Sequence, residues 1–156
     1  MRSKILSLVA AVLLVAACET SSTNTATDVG NGGKSTIVPG SQEDLRVNVG
    51  DRVFFGFDRY DLTPEGRAIL DKQAKWLQTY PQVTVTVEGH ADERGTREYN
   101  LALGERRANA VKKYMTAQGV NTARVSTISY GKERPEVLGS GEAVWAQNRR
   151  GVTQVN

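Results

Sequence analysis

The segment VTVTVEGHADERGTREYNLALGERRANAV, residues 83–111, predicts a strand, a charged loop and a long helix in direct succession. Strict alternation across Val83–Val87 places the three valines on one face, which is typical of a strand with one buried side. The helix is predicted from Glu98 to Gln118, and Gly119 ends it because glycine readily adopts the left-handed conformation that closes helices. Its expected apolar stripe consists of Leu101, Gly104, Ala108, Val111 and Met115.

The charged residues of this segment are predicted to converge on one shallow pocket. Asp92 directly follows the strand, whereas Asn100 and Arg107 are two helical turns apart and therefore share a helix face. If the helix packs beside the strand, the loop that holds Asp92 folds over the start of the helix. A carboxylate and a guanidinium then flank the same pocket. Gly89 and Gly95 are expected to give the loop freedom to turn its backbone N–H groups inward.

Such a pocket suits a ligand that carries a positive and a negative charge on one small centre. Asp92 can accept hydrogen bonds from an ammonium group, and Arg107 can hold a carboxylate through two parallel hydrogen bonds, which lysine cannot do. Two other interpretations stay open from the residues alone. Asp92 can pair with Arg94 on a solvated surface, and Arg107 can extend along the helix surface. Glu105 and Arg106 are expected to point away from the pocket.

The other periodic segments predict the remaining elements of a single domain. Asp51–Asp58 is rich in aromatic and β-branched residues and predicts a strand. A helix follows, with Thr63 as its cap and Pro64 at its first position. Arg124–Gly131 predicts a third strand, GEAVWAQNRR a short helical turn, and Gly151–Val155 a closing strand. The order predicts an α+β fold, βαβαβ with a final strand, in which helices pack on one face of a mixed sheet.

The N-terminus predicts export and lipid anchoring. Residues 1–17 combine a basic start with the 13-residue stretch ILSLVAAVLLVAA, which is too short to span a bilayer and fits a secretory signal peptide. VAAC places small residues before Cys18 and resembles a bacterial lipobox, whose cysteine is acylated. A buried helix and an unmodified thiol are the alternatives. Residues 18–41, rich in Ser, Thr, Asn and Gly, predict a disordered tether, so the folded domain is expected at 42–156.

The charge balance argues against nucleic-acid binding. The formal net charge is +3, but two of the 20 basic residues, Arg2 and Lys4, belong to the signal peptide, which leaves 18 against 17 acidic residues. A surface so balanced has no strong field to attract a polyanion.

The side chains that could support metal binding or catalysis are few. His90 and Asp92 are two residues apart, but zinc takes three or four protein ligands, and the chain has no second histidine. His90 is therefore expected to form a hydrogen bond at the strand end, and no metal or other cofactor is expected. A hydrolase would need a nucleophile beside a base, and neither Ser126 nor Ser129 has a histidine close by in the sequence. Trp76 and Trp145 are expected to be packing residues.

Four motifs resemble the OmpA-like C-terminal domain family over roughly residues 42–156. They are FGFDRYDLTPEG (55–66), the charged stretch 89–111, SYGKERPE (129–136) and NRR (148–150). With the lipobox and tether, the chain resembles the lipid-anchored, peptidoglycan-associated members of that family more than its barrel-linked or flagellar-stator members. The resemblance implies a non-enzymatic protein that binds the peptidoglycan stem peptide. Its meso-diaminopimelate side chain ends in an ammonium and a carboxylate on one carbon.

The resemblance also implies residue roles and partners. Asp92 matches the position that holds the ammonium, and Arg107 matches the position that holds the carboxylate. The further residues expected along the same groove are Phe57, Asp58, Arg94, Thr96, Asn100 and Leu103. The implied partners are outer-membrane lipid, the periplasmic propeller protein TolB, and TolA. The implied role is to link outer membrane and cell wall from the periplasmic side and to help constrict that membrane during division.

Overall fold

The computed structural model describes residues 37–156. The expected signal peptide, Cys18 and most of the tether lie outside the described residues. Gly40 and Ser41 already contact the domain, because the Gly40 amide donates to the Asp44 carboxylate and the Ser41 hydroxyl accepts from the Asp44 amide. Among the described residues, no helix is both long enough and apolar enough to cross a membrane.

Helices and strands alternate along the described chain. The helices are α1 (Gln42–Asp44, continued by a π-helical turn over Leu45–Val49), α2 (Pro64–Thr79), α3 (Arg97–Ala117) and α4 (Glu142–Asn148). The strands are β1 (Arg52–Phe54), β2 (Val85–His90), β3 (Val125–Gly131) and β4 (Arg150–Val155), with a 3-10 turn at Thr122–Arg124. The βαβαβ order with a final strand is therefore confirmed, and α1 is an addition that the sequence patterns did not predict.

The four strands form one mixed sheet in the order β1-β4-β2-β3. β2 and β3 run parallel, whereas β4 is antiparallel to both of its neighbours. Helices α2 and α3 bury their apolar faces against one face of this sheet, as predicted. The core residues include Val53, Leu70, Leu77, Val85, Val87, Ala108, Val111, Met115 and Val125.

Helix α2 begins where its sequence signals place it. The Thr63 hydroxyl accepts a hydrogen bond from the Gly66 amide at 3.0 Å, and Pro64 occupies the first helical position. The hydroxyl satisfies one of the amide groups that a helix start leaves unpaired, and proline has no amide to leave unpaired there.

Strand β1 is shorter than the predicted Asp51–Asp58. It spans only Arg52–Phe54, whose last residue pairs with Arg150 at the start of β4, and one further hydrogen bond joins the Phe55 amide to the Arg149 carbonyl at 2.9 Å. The chain then leaves the sheet and reverses at Asp58, which has a φ of 55°. Phe57 and Asp58 consequently lie in a loop beside the sheet edge.

Two glycines set how closely α3 approaches the sheet. A Cβ atom at Gly89 would lie 1.9 Å from the carbonyl oxygen of Gly104, and one at Gly104 would lie 2.3 Å from the Ser129 hydroxyl. Gly89 is thus part of β2, and the prediction that Gly89 gives the following loop conformational freedom is wrong. The buried face of α3 also differs slightly from the prediction, because Leu103 is buried while Leu101 is only half-buried. The close approach of Gly89 and Gly104 holds the first half of α3 against the C-terminal end of β2.

Candidate functional site

A cavity of about 180 Å³ opens where the end of β2, the loop after β1 and the first half of α3 meet. Its lining comprises Phe57, Asp58, Ala91, Asp92, Arg94, Gly95, Tyr99, Asn100, Leu103 and Arg107. The structure therefore brings Asp92 and Arg107 to the same cavity, as their spacing predicted.

Asp92 is a buried carboxylate with a full set of hydrogen bonds. One oxygen accepts from the backbone amide and Nε of Arg94, both at 3.1 Å, and the other accepts from Arg94 Nη2 at 2.6 Å and Arg149 Nη1 at 3.4 Å. Burial disfavours the charged form, but these hydrogen bonds outweigh burial and lower the pKa of Asp92. The pair with Arg94 thus exists, but the interpretation as a solvated surface pair is wrong, because Asp92 is only 5% exposed.

Arg107 is a buried cation held by neutral groups. Its exposed fraction is 0%, so the interpretation in which it extends along the helix surface is wrong. Its guanidinium donates to the backbone carbonyls of Arg59 at 2.8 Å, His90 at 2.7 Å and Gly56 at 3.1 Å. No ion pair within 4.0 Å joins it to a carboxylate of residues 37–156. Burial lowers the pKa of Arg107 to about 10, which leaves it charged at neutral pH.

Arg94 closes over Asp92 between two aromatic rings. Its guanidinium carbon lies 3.9 Å from the centroid of Phe57 and 4.0 Å from that of Trp145. The Trp145 indole is held in turn by a 2.8 Å hydrogen bond to Glu93. Cation–π contacts on both faces stabilise this position, yet the Arg94 side chain is still 30% exposed. Trp145, expected only to pack, therefore supports a residue that lines the cavity.

The remaining walls combine one apolar and several polar groups. Leu103 is buried, and the side-chain amide of Asn100 donates to the Arg94 carbonyl at 2.8 Å. The Tyr99 hydroxyl donates to the Asp58 carboxylate and so joins α3 to the loop after β1. Asp58 is the one non-glycine residue of the described chain with a positive φ, a strained conformation of the kind that clusters at functional sites.

Most of the residues predicted for the groove line the cavity, and one does not. Thr96 instead caps α3, its hydroxyl accepting from the Tyr99 amide at 3.2 Å. Sequence reasoning missed Tyr99 and Arg149, although the first lies in the charged segment and the second in the NRR motif. Spacing along α3 could have pointed to Tyr99, but no local pattern connects Arg149 with Asp92. Arg106 is exposed, as expected.

His90 is buried without the hydrogen bond that was expected at the strand end. Neither ring nitrogen forms a hydrogen bond among the described residues, although Nε2 lies 3.5 Å from the Glu88 carboxylate, and the ring packs against Tyr130 at a centroid distance of 5.6 Å. Burial, with the nearby Arg150 cation, lowers the pKa of His90 to about 4, so the ring is neutral at physiological pH. Among residues 37–156, no group of three or more potential metal-ligating side chains is placed to hold a metal ion.

The sequence pattern of the OmpA family matches residues 54–149, a span that contains every residue lining the cavity. The chain belongs to the OmpA family. A protein of Brucella melitensis named peptidoglycan-associated lipoprotein is 51% identical over 146 residues, which cover 92% of this chain and 86% of the relative. The Haemophilus influenzae protein of the same name is 46% identical over 149 residues, which cover 96% and 95%.

Two solved structures resemble this one. The crystal structure of the peptidoglycan-associated lipoprotein from Burkholderia pseudomallei superposes with a TM-score of 0.66 at 43% identity and covers 68% of this chain and 90% of that chain. The C-terminal domain of Helicobacter pylori MotB gives a TM-score of 0.62 at 24% identity, covering 67% and 83%. The MotB likeness shows that the fold is shared, and nothing more.

Proposed function

We propose that this chain is an outer-membrane lipoprotein whose domain binds peptidoglycan non-covalently through meso-diaminopimelate. The observation that carries the proposal is Arg107, a fully buried guanidinium that lines the same cavity as Asp92 and has no carboxylate partner among the described residues. Buried charges are normally paired, so a cavity with such a group suits an anion that arrives from outside. The names of the relatives at 46–51% identity support peptidoglycan as its source.

In this proposal Arg107 receives the carboxylate of the diaminopimelate side chain. Three of its five N–H groups are used by backbone carbonyls, which leaves two for a ligand. The same carbonyls hold the guanidinium in place before binding, so little side-chain entropy remains to be lost. A ligand carboxylate would also neutralise a charge that burial disfavours.

Asp92 receives the ligand ammonium once a present donor gives way. Its carboxylate already accepts four hydrogen bonds, which is about what two carboxylate oxygens accommodate. Arg149 is 6% exposed and anchored elsewhere, whereas the Arg94 side chain is 30% exposed. Arg94 is therefore the donor that yields, and Leu103 offers an apolar wall for the methylene chain of the ligand.

The same proposal covers the rest of the chain. Residues 1–17 act as the signal peptide, Cys18 carries the lipid, residues 18–41 form the tether, and 42–156 form the peptidoglycan-binding domain. This domain then links the outer membrane to the cell wall, with TolB and TolA as partners during envelope constriction. Cys18→Ala should abolish acyl labelling and leave the chain unanchored or unprocessed, and acyl label on that variant would contradict the anchor.

An enzyme of wall metabolism is the alternative function. The Ser129 hydroxyl donates to the Leu101 carbonyl at 2.7 Å rather than facing a base. Asp92 faces Arg94 and Arg149, whereas Glu93 bonds Ser140 and Trp145, so the two carboxylates do not act on one point. These arrangements favour a binding domain. A turnover assay on purified sacculi would distinguish the two functions, since soluble fragments would be released only by an enzyme.

Calorimetry with two stem peptides tests the proposed ligand. The peptides differ only at the third residue, meso-diaminopimelate in one and lysine in the other, and are compared at equal ionic strength. Lysine offers an ammonium to Asp92 but no carboxylate to Arg107, which leaves the buried guanidinium unpaired. Losing one charge-assisted partner costs about 2–3 kcal/mol, so the lysine peptide should bind about 30- to 150-fold more weakly.

A variant supplies the control for this comparison. Lys72→Gln removes an exposed positive charge from α2, away from the cavity, and should bind both peptides as the unchanged protein does. Equal affinities of the unchanged protein for the two peptides would refute the pairing of Asp92 and Arg107 with one zwitterionic centre.

A further inference from the structure

A second cationic group lies beside the cavity. The guanidinium of Arg106 is 5.6 Å from the ring centroid of Tyr60 and 5.8 Å from that of Tyr99. The rings are 50% and 45% exposed, so the three side chains, here called the Arg106 cluster, form an accessible surface of one charge and two aromatic faces. Aromatic contacts hold an arginine in place without neutralising it.

The charge of this cluster is not balanced by its neighbours. The facing loop carries two carboxylates, and both are engaged elsewhere: Asp58 accepts from the Tyr99 hydroxyl, and Asp61 pairs with Arg59 at 2.7 Å. Arg106 forms no ion pair within 4.0 Å among residues 37–156. An exposed guanidinium with unused donors is suited to a carboxylate, which its planar fork can bind through two hydrogen bonds.

The cluster and the cavity share a wall. Tyr99 and Asp58 both line the cavity and are joined by a hydrogen bond, and the Tyr99 ring is also one of the two that Arg106 contacts. Arg106 and Arg107 are consecutive, so their Cα atoms are about 3.8 Å apart, while their side chains diverge around the helix. A ligand whose chain extends from the cavity past Tyr99 can therefore bring a second carboxylate to Arg106.

A stem peptide has such a chain. Besides the carboxylate at the end of the diaminopimelate side chain, it carries one on its γ-linked glutamate and one at its C-terminus. Either is separated from the first by about 10 Å of flexible chain, comparable to three residues of extended backbone. Once the first carboxylate is bound, the second is present at high effective concentration.

We propose that the Arg106 cluster is a second subsite, which binds another carboxylate of the stem peptide whose diaminopimelate occupies the cavity. The inference rests on the proposed function and adds a second determinant to it. The subsite would make the domain sensitive to amidation of the peptide at a position other than diaminopimelate.

Titrating the protein and its variants with amidated and unmodified peptides tests this subsite. The full-length chain in detergent is titrated with three diaminopimelate tetrapeptides: unmodified, amidated at the glutamate, and amidated at the C-terminus. Amidation at the contacted position should weaken binding to the unchanged protein about 3- to 5-fold, the range of exposed charge pairs, and identify which carboxylate is used. Arg106→Gln should lose a similar factor on the unmodified peptide and lose nothing further on amidation, whereas Lys72→Gln should behave as the unchanged protein does.

Each other outcome has a separate meaning. If the unchanged protein binds all three peptides equally, or if Arg106→Gln remains sensitive to amidation, the second subsite is refuted while the cavity stands. If no diaminopimelate peptide binds, or Arg107→Lys binds as tightly as the unchanged protein, the proposed function itself fails and takes the subsite with it.

Discussion

Two buried arginines flank the segment that follows β1, and they are balanced in opposite ways. Arg149 donates to the Phe55 carbonyl at 3.0 Å and pairs with two carboxylates, Asp92 at 3.4 Å and Glu142 at 2.5 Å. Arg107, on the other side, donates to three carbonyls and has no carboxylate partner among residues 37–156.

The difference separates a group with structural partners from the group that we propose binds the ligand. Arg149 is compensated inside the protein, so its removal should damage the fold. Arg107 is positioned by three carbonyl dipoles but not neutralised by a carboxylate, and it lines the cavity. Two side chains of the same type, both nearly inaccessible, are thus expected to respond differently to substitution.

The largest effect is expected at Arg149. Arg149→Leu removes one partner of a buried ion pair, a change that typically costs 3–5 kcal/mol; because Arg94 remains on Asp92, we expect the free energy of unfolding to fall by about 3 kcal/mol. Urea unfolding measures it. Arg59→Gln is the matched control, since its pair with Asp61 is exposed and should contribute little to stability. Equal stabilities of the two variants would show that Arg149 is not a structural group.

Acid should destabilise the folded chain through His90 before it protonates Asp92. His90, whose carbonyl accepts from Arg107, has a pKa lowered to about 4 in the folded chain, whereas the unfolded chain takes up that proton near pH 6.5. The free energy of unfolding should therefore decrease by about 2–3 kcal/mol as the pH falls from 6.5 to 4. The pKa of Asp92 is lowered, so its contribution persists through this range and is lost below it.

Unfolding measured across that pH range checks this assignment. His90→Phe keeps a ring beside Tyr130 and removes no hydrogen bond of the imidazole, so it should lose most of the slope between pH 6.5 and 4. A variant with the same slope as the unchanged protein would place the titrating group elsewhere.

The effect on ligand binding, as distinct from stability, is expected to be largest at Arg107 and Asp92. Arg107→Ala and Asp92→Ala should each weaken sacculus binding by about 2–3 kcal/mol, or about 30- to 150-fold, and Arg106→Ala should cost less than Arg107→Ala. Pulldown with purified sacculi measures binding, and circular dichroism confirms that each variant is folded. Arg107→Lys keeps the positive charge but not the planar guanidinium. It therefore separates the loss of two-hydrogen-bond binding from the loss of a buried side chain. A greater loss at Arg106 than at Arg107 would contradict the assigned helix face.

Local patterns were sufficient for most of the fold. The alternating valines of β2, the cap of α2 at Thr63 and the end of α3 at Gly119 depend on residues within one turn or one strand, so the sequence predicts them directly. The shared face of Asn100 and Arg107 follows from helical periodicity in the same way. These local rules placed the two main residues of the cavity on elements that meet.

Tertiary structure decided what those residues contact. The early end of β1 depends on where β4 begins, and the close packing of Gly89 on Gly104 depends on a helix that the strand alone does not reveal. The second cation on Asp92 comes from Arg149, 57 residues away. Periodicity places a side chain on a face, but its partners, burial and charge balance depend on chain segments brought together only by folding, and these make Arg107 a candidate binding group rather than a surface arginine.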